Sequence, residues 1–314
     1  MATISETSAL WQACCDGEFA MVRVLLANGD VDIEQIEGGG LTPVQVAAAG
    51  GFDDVVELLL EHGADVFNNG DCDAMTTLHW VAGAGPAGGR GAGAIMRLLM
   101  KLYVDGLNSV ASLSILDTGD GLPPSLAVAD ANQFITVVQN ANETPPREAR
   151  LDLNAQNIDG LTPLHRAVLF GTTDSLEQLC MAGADTELVD CGGRTAIHYA
   201  AAYGMNNKVC ILIGYMTASG IRMQDERGNN VLHFVSGRGG HGMRQSVFAD
   251  RAVRIGIVNI FIQFGIDVDI KNQEAKTAEE LAVQRGRQSL VDLLKVDSHP
   301  LIELHDLMHG RGLL

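Results

Sequence analysis

The sequence predicts an all-α solenoid of stacked helix pairs, on three observations. One turn–helix pattern recurs along the 314 residues, opening at Ser8, Thr42, Thr76, Thr162, Thr195, Asn230 and Thr277, in steps of 34, 34, 86, 33, 35 and 47 residues. A glycine stands nine positions after each opening residue, at Gly17, Gly51, Gly85, Gly171, Gly204, Gly239 and Gly286. Hydrophobic residues make up 46% of the chain but aromatics only 5%, so its apolar side chains are mostly small or aliphatic and suit close helix stacking better than one bulky core. A repeat array can grow without a central core, because each unit contacts only its neighbours.

The clearest copy is Gly160-Leu161-Thr162-Pro163-Leu164-His165-Arg166-Ala167-Val168-Leu169-Phe170-Gly171. Gly160 suits a turn position with positive φ. Thr162 is an N-cap residue, and Pro163 stands at the first helical position, where a missing N–H costs nothing. Leu164, Ala167 and Val168 share one helix face, and Gly171 is expected to end the helix in a left-handed conformation. The same slots hold Thr42-Pro43-Val44-Gln45-Val46-Ala47, Thr76-Thr77-Leu78-His79, Thr195-Ala196-Ile197-His198-Tyr199-Ala200 and Asn230-Val231-Leu232-His233.

With this period and this T-P-L-H-x-A opening, the chain resembles the ankyrin repeat family over nearly its whole length. The resemblance implies one β-turn finger and two antiparallel helices per repeat, in a curved array of about seven to eight repeats. Residues 1–297 are read as that array and 298–314 as a C-terminal helical tail.

In chain order, 5–30 form the first repeat, with Leu10, Ala13 and Cys14 on the inner helix and Phe19, Val22, Leu25 and Leu26 on the outer one. The second repeat continues into Val55-Val56-Glu57-Leu58-Leu59-Leu60-Glu61 and the stop at Gly63. In the third, Gly83-Ala84-Gly85-Pro86-Ala87-Gly88-Gly89-Arg90-Gly91 lengthens the interhelix turn. The step of 86 carries an irregular insertion, 104–150, in which Asp120-Gly121-Leu122-Pro123-Pro124 echoes the finger of the clearest copy and suggests a degenerate eighth repeat. Regular repeats return over 160–225, a second long interhelix loop spans 239–252, and a polar repeat from Lys276 to Leu294 closes the array. In the tail, Leu301, Leu304, Leu307 and Met308 form an apolar stripe that is read as packing over that last repeat.

The net charge is −18, and from Met1 to Gly89 fourteen acids face the single base Arg23. Such a field disfavours nucleic acid and anionic membranes and favours basic partners, although solubility is the plainer reading of it. No apolar run is long enough to span a bilayer, and no secretory signal is evident. The six cysteines, Cys14, Cys15, Cys72, Cys180, Cys191 and Cys210, form no CxxC pair and no secreted framework, so the cytoplasm or nucleus is expected.

Nothing in the sequence asks for catalysis. The glycines at 83, 85 and 88 match G-x-G-x-x-G, but a helix precedes them where a dinucleotide site needs a strand, so this stretch is read as a loop. His79, His165, His198 and His233 occupy one repeat slot, where the family resemblance implies a structural hydrogen bond to the adjacent finger. His305 and His309 are spaced for a shared metal but have no fixed third ligand, so a solvated helix face is the reading kept; neither metal nor cofactor is expected.

What remains is protein binding. The resemblance places partner contacts beside the finger glycine and before the terminating glycine: Ile158, Leu161, Leu169, Phe170, Arg194, Tyr203, Asn229 and Arg238. The first four are apolar where solvent exposure is expected. The function expected is a non-catalytic scaffold or adaptor that holds a protein partner, with the acidic first repeats favouring a basic segment. The alternative is an assembly chaperone or structural subunit that contacts its complex through the insertions 86–93, 104–150 and 239–252.

Overall fold

The computed structural model describes residues 6–29, 31–37, 39–66, 73–85, 91–103, 151–237 and 251–295. These residues are helical, with one isolated antiparallel bridge between Glu37 and Leu41 as their β structure. They form two compact units. The first holds residues 1–158 and 162–185, and the second 159–161 and 186–314.

In the first unit, α1 (Glu6–Asp16) pairs with α2 (Phe19–Asn28), and α3 (Pro43–Gly50) with α4 (Asp53–Glu61). Next come α5 (Thr77–Gly83) and α6 (91–103), then α7 (Pro163–Leu169) with α8 (Thr173–Met181). The first helices α1, α3, α5 and α7 stack in that order, and α2 packs on α4. The second unit repeats the scheme with α9 (Ala196–Ala202) and α10 (Asn206–Tyr215), a short α11 (Ala218–Ile221), α12 (Val231–Ser236) and α13 (Arg251–Gln263), and α14 (Ala278–Gln284) and α15 (Gln288–Leu294). Here α9, α12 and α14 form one row and α10, α13 and α15 the other.

Each helix buries the stripe its spacing predicts. Leu10, Val44, Leu78, Leu164, Ile197 and Leu232 are all at most 1% exposed, and they occupy equivalent slots of the first helices. The second helices bury Val22, Val55, Val56, Leu59, Leu176, Leu179, Val209, Leu212 and Leu290 against them. At about 25 cal/mol per Å² of apolar surface, each pair is stable only where a neighbour covers it.

Six of the seven opening residues are N-caps with reciprocal capping boxes: Thr42, Thr76, Thr162, Thr195, Asn230 and Thr277. The backbone amides of Thr76, Thr162 and Thr195 donate to Nδ1 of His79, His165 and His198 at 3.1, 3.2 and 3.1 Å. Because Nδ1 accepts, the ring proton sits on Nε2, and His198 Nε2 donates to Met223 O at 3.1 Å, bonding one repeat to the next finger. The histidine ladder is a set of backbone braces. The seventh opening residue departs: α1 already runs from Glu6, so Ser8 lies inside the helix.

One expectation is corrected. Gly171 is not left-handed, since Phe170 caps α7 with φ −129° and Gly171 is absent from the positive-φ glycines. It is glycine because a Cβ there would collide with the Ala82 carbonyl and lie 2.9 Å from Ala167 Cα, where α7 meets α5. The third and fourth registered repeats, separated by the step of 86 residues, are in contact. α5 packs directly on α7, and the Ile158 amide donates to Asp73 O at 3.0 Å, so these two repeats are neighbours. The degenerate repeat read over 120–138, the loop 239–250 and the tail 298–314, with its histidines, lie outside the described residues.

Candidate protein-interaction surface

The fingers of the second unit are built by an Asp or Asn at one position. Asp190 Oδ1 accepts from the Gly192 amide at 2.8 Å and the Arg194 amide at 2.9 Å. Asp225 Oδ1 accepts from Arg227 and Asn229 at 2.9 and 2.7 Å, and Asn272 Oδ1 from Glu274 and Lys276, both at 3.0 Å. A carboxylate or amide oxygen thus folds each tip back on its own side chain. The tips then join in sequence: Cys191 N to Asp159 O at 2.9 Å, Glu226 N to Gly192 O at 3.0 Å and Gln273 N to Arg227 O at 2.9 Å. Gly193, at φ 73°, is needed twice over, because a Cβ would sit 2.7 Å from Glu226 N.

Within this row Asp159, Leu161, Asp190, Cys191, Gly192, Arg194 and Tyr199 line an open cavity of about 360 Å³. Asp190 is its buried anion, and its side chain is 1% exposed. Burial alone would raise its pKa; hydrogen bonds from Tyr199, from the Arg194 amide and guanidinium, and from the Gly192 amide together hold it below the ordinary carboxylate value. Arg194 reaches Asp190 at 2.8 Å and lies over the Tyr199 ring at 5.0 Å, with its side chain 27% exposed. Burial, then the Asp190 bond, pushes the Tyr199 phenol well up, so it stays a donor.

The eight expected contact residues divide between the two units. In the second, Leu161 and Arg194 line the same cavity, and the Arg194 charge also reaches Tyr203, a half-buried residue. Asn229 Nδ2 donates to Asp225 Oδ2 at 3.0 Å, and its Oδ1 accepts from Asn272 at 2.8 Å, so it ties two fingers together. Leu161 is not exposed as expected: it is 9% accessible, because the Cys191–Asp159 bond draws the next finger over it. Arg238 lies outside the described residues.

In the first unit Ile158 is 61% exposed and Phe170 51%, whereas Leu169 is half-buried. The Arg166 guanidinium is stacked 4.7 Å from the Phe170 ring and 5.5 Å from Trp80, a cation–π contact on an exposed aromatic at the end of α7. Sequence reasoning passed over Trp80, Arg166, Asp190 and Tyr199. The signals were there: Arg166 and Phe170 are i,i+4 on one helix, and Asp190, Asp225 and Asn272 stand four residues before Arg194, Asn229 and Lys276.

Capped helix pairs joined by hydrogen-bonded turn fingers define a class of repeat array. The family described as "Ankyrin repeats (3 copies)" matches residues 2–70 and 126–226, more than half of the chain. The chain belongs to the ankyrin repeat family, whose arrays are protein-interaction scaffolds.

Among its relatives, the nuclear factor NF-kappa-B p105 subunit of Gallus gallus is 28% identical over 51% of this chain and 15% of its own length. The B-cell lymphoma 3 protein homolog of Mus musculus is 30% identical over 46% of this chain and 28% of its own length. The matched stretch is therefore under a third of either relative. The crystal structure of the ankyrin repeat domain of Bcl-3 superposes with a TM-score of 0.56 at 22% identity, covering 91% of this chain and 97% of that one. That likeness is one of fold. Among the described residues no helix is long and apolar enough to cross a membrane.

Proposed function

We propose that the chain is a non-catalytic scaffold or adaptor that holds a protein partner along its fingers and the ends of its first helices. The carrying observation is the exposure of Phe170, a large aromatic with the Arg166 guanidinium stacked on its ring. Rigid aromatic and arginine side chains are the types that dominate binding energy at interfaces. Ile158 in the first unit, and in the second Arg194 in the cavity wall and Tyr203 within reach of its charge, extend the reading.

The partner segment is read as basic. Asp53, Asp54, Glu57, Glu61 and Asp65 are exposed around α4, and the first 89 residues offer one base against them. Such a surface accelerates and orients encounter more than it strengthens the final complex. The cytoplasm or nucleus is the proposed location, supported by the lack of a secreted cysteine framework in the sequence and by the kinship above.

The test is affinity capture followed by mass spectrometry, comparing the wild-type chain with Phe170→Ala and Tyr203→Ala. A partner recovered by the wild type and reduced at least about tenfold in the variants supports the reading, since hot-spot truncations cost about 2 kcal/mol or more. Equal recovery by all three removes these residues from the interface.

A further inference from the structure

Two arginines converge on the C-terminal end of α12, the end opposite its Asn230 cap. Arg254 Nη1 donates to Val235 O at 2.8 Å, and its Nη2 to Ala202 O at 3.4 Å. Arg287 Nη1 donates to Val235 O at 2.7 Å, Ser236 O at 3.0 Å and Gly237 O at 3.2 Å. The local reason is plain. Gly237, at φ −89° and ψ −167°, does not make the left-handed turn that returns backbone amides to the last carbonyls, so side chains must supply the donors.

Capping explains one guanidinium and leaves five features over. Both cations share the Val235 acceptor, so like charges are held side by side. Burial and then the Arg287 charge push Arg254 down to about 10; burial and then Arg285 push Arg287 down as well. Neither pairs with a carboxylate among the described residues, although the chain has 39 acids against 21 lysines and arginines. Every hydrogen bond of Arg287 uses Nη1. Its Nε–Nη2 edge, the fork that grips two oxygens of one anion, is unengaged among the described residues. At the same helix end, Ser236 is 0% exposed and its Oγ has no hydrogen-bond partner among the described residues.

We propose that Arg254, Arg285 and Arg287, with Ser236, form a binding site for a phosphate monoester. A tetrahedral dianion offers two oxygens to the Arg287 fork and a charge that offsets the crowding of the guanidinium groups. A carboxylate would meet the fork but leave most of the repulsion standing. Arg285 is exposed, its charge reaches Arg287, and among the described residues no side-chain hydrogen bond commits it to the fold, so it is free to turn toward a ligand. The site lies at the opposite end of α12 from the fingers and does not depend on the reading of the finger surface.

The experiment is thermal unfolding of the full chain in sodium phosphate against sodium chloride at matched ionic strength and pH 7. Wild-type Tm should rise saturably with inorganic phosphate, by about 5 °C at a hundredfold excess over Kd. Arg285→Ala, which removes no capping bond, should shift the half-saturating concentration up about tenfold. Arg287→Lys keeps a cation at the helix end but loses the fork, and should abolish the response even if its starting Tm is lower. A phosphoserine peptide that raises Tm at lower concentration than inorganic phosphate would make the ligand a modified side chain of a partner. A peptide without effect beside a working phosphate response would make it a small phosphate ester. Equal Tm in the two salts, or a wild-type response retained by Arg285→Ala, overturns the proposal.

Discussion

The hydroxyl of Tyr199 donates a hydrogen bond to Asp190 Oδ2, fastening the helix α9 to the finger that precedes it in the same repeat. Arg194 closes the group from the finger side, through its backbone amide and its guanidinium. Tyr199→Phe leaves a buried carboxylate short of one donor and should destabilise the second unit by about 1–3 kcal/mol in denaturant unfolding.

The same carboxylate sets an acid limit. Its folded pKa lies below the ordinary value, so the unfolded chain takes up a proton first on acidification. The stability this contributes is complete above about pH 4 and is lost as pH falls through the folded pKa. Asp190→Asn should lower stability at pH 7 and flatten the curve below about pH 4; an unchanged acid slope would put the loss elsewhere.

His233 predicts a second, milder pH effect. Burial is the larger cause that keeps its imidazole below the usual histidine value, so the fold prefers the neutral ring. Stability should be full above about pH 6.5 and decline below it as the unfolded chain protonates. His233→Gln is the informative variant, because Gln45 already closes a capping box in the same slot of the second repeat. It should keep the cap and flatten the profile between about pH 7 and 5.

Ala275 stands at φ 57° in the last described finger, where the equivalent residue of the preceding finger, Gly228, has φ 74°. A left-handed alanine costs about 1–2 kcal/mol, part of which glycine returns as unfolded-state entropy. Ala275→Gly should therefore stabilise the chain by about 0.5–1 kcal/mol, visible as a raised denaturant midpoint with an unchanged slope.

The opposite change belongs at Gly171. Its backbone is not left-handed, so strain is no issue, but a methyl group would meet the Ala82 carbonyl. Gly171→Ala should cost about 1–3 kcal/mol by pushing α7 from α5. Near-wild-type stability would show that the two helices pack less closely than described.

The architecture was legible because a repeat states its case several times. Capping residues at the helix openings, apolar slots and turn glycines each recur, so an error in one copy is corrected by the others. What stayed hidden is what a single copy does alone. Gly171 occupies a left-handed slot in register yet serves packing, since its neighbour is Ala82, distant in sequence. Leu161 was expected to be exposed from its place beside the finger glycine, and the next finger covers it. The Arg254–Arg287 pair is formed by residues far apart in the chain that meet only through the carbonyls of α12, so no spacing announces it. The stretches that break register offered less: 239–252 carries no repeat pattern, and 104–150 only the faint echo at 120–124.

Amide hydrogen exchange of the chain with and without its captured partner tests the interaction account most directly. Slowed exchange at the finger residues around 158–161, 190–194 and 225–229 and at the end of α7 near Phe170, with α10 and α15 unchanged, is the predicted result. Slowing confined to the second helices, with the fingers exchanging as in the free chain, would contradict it.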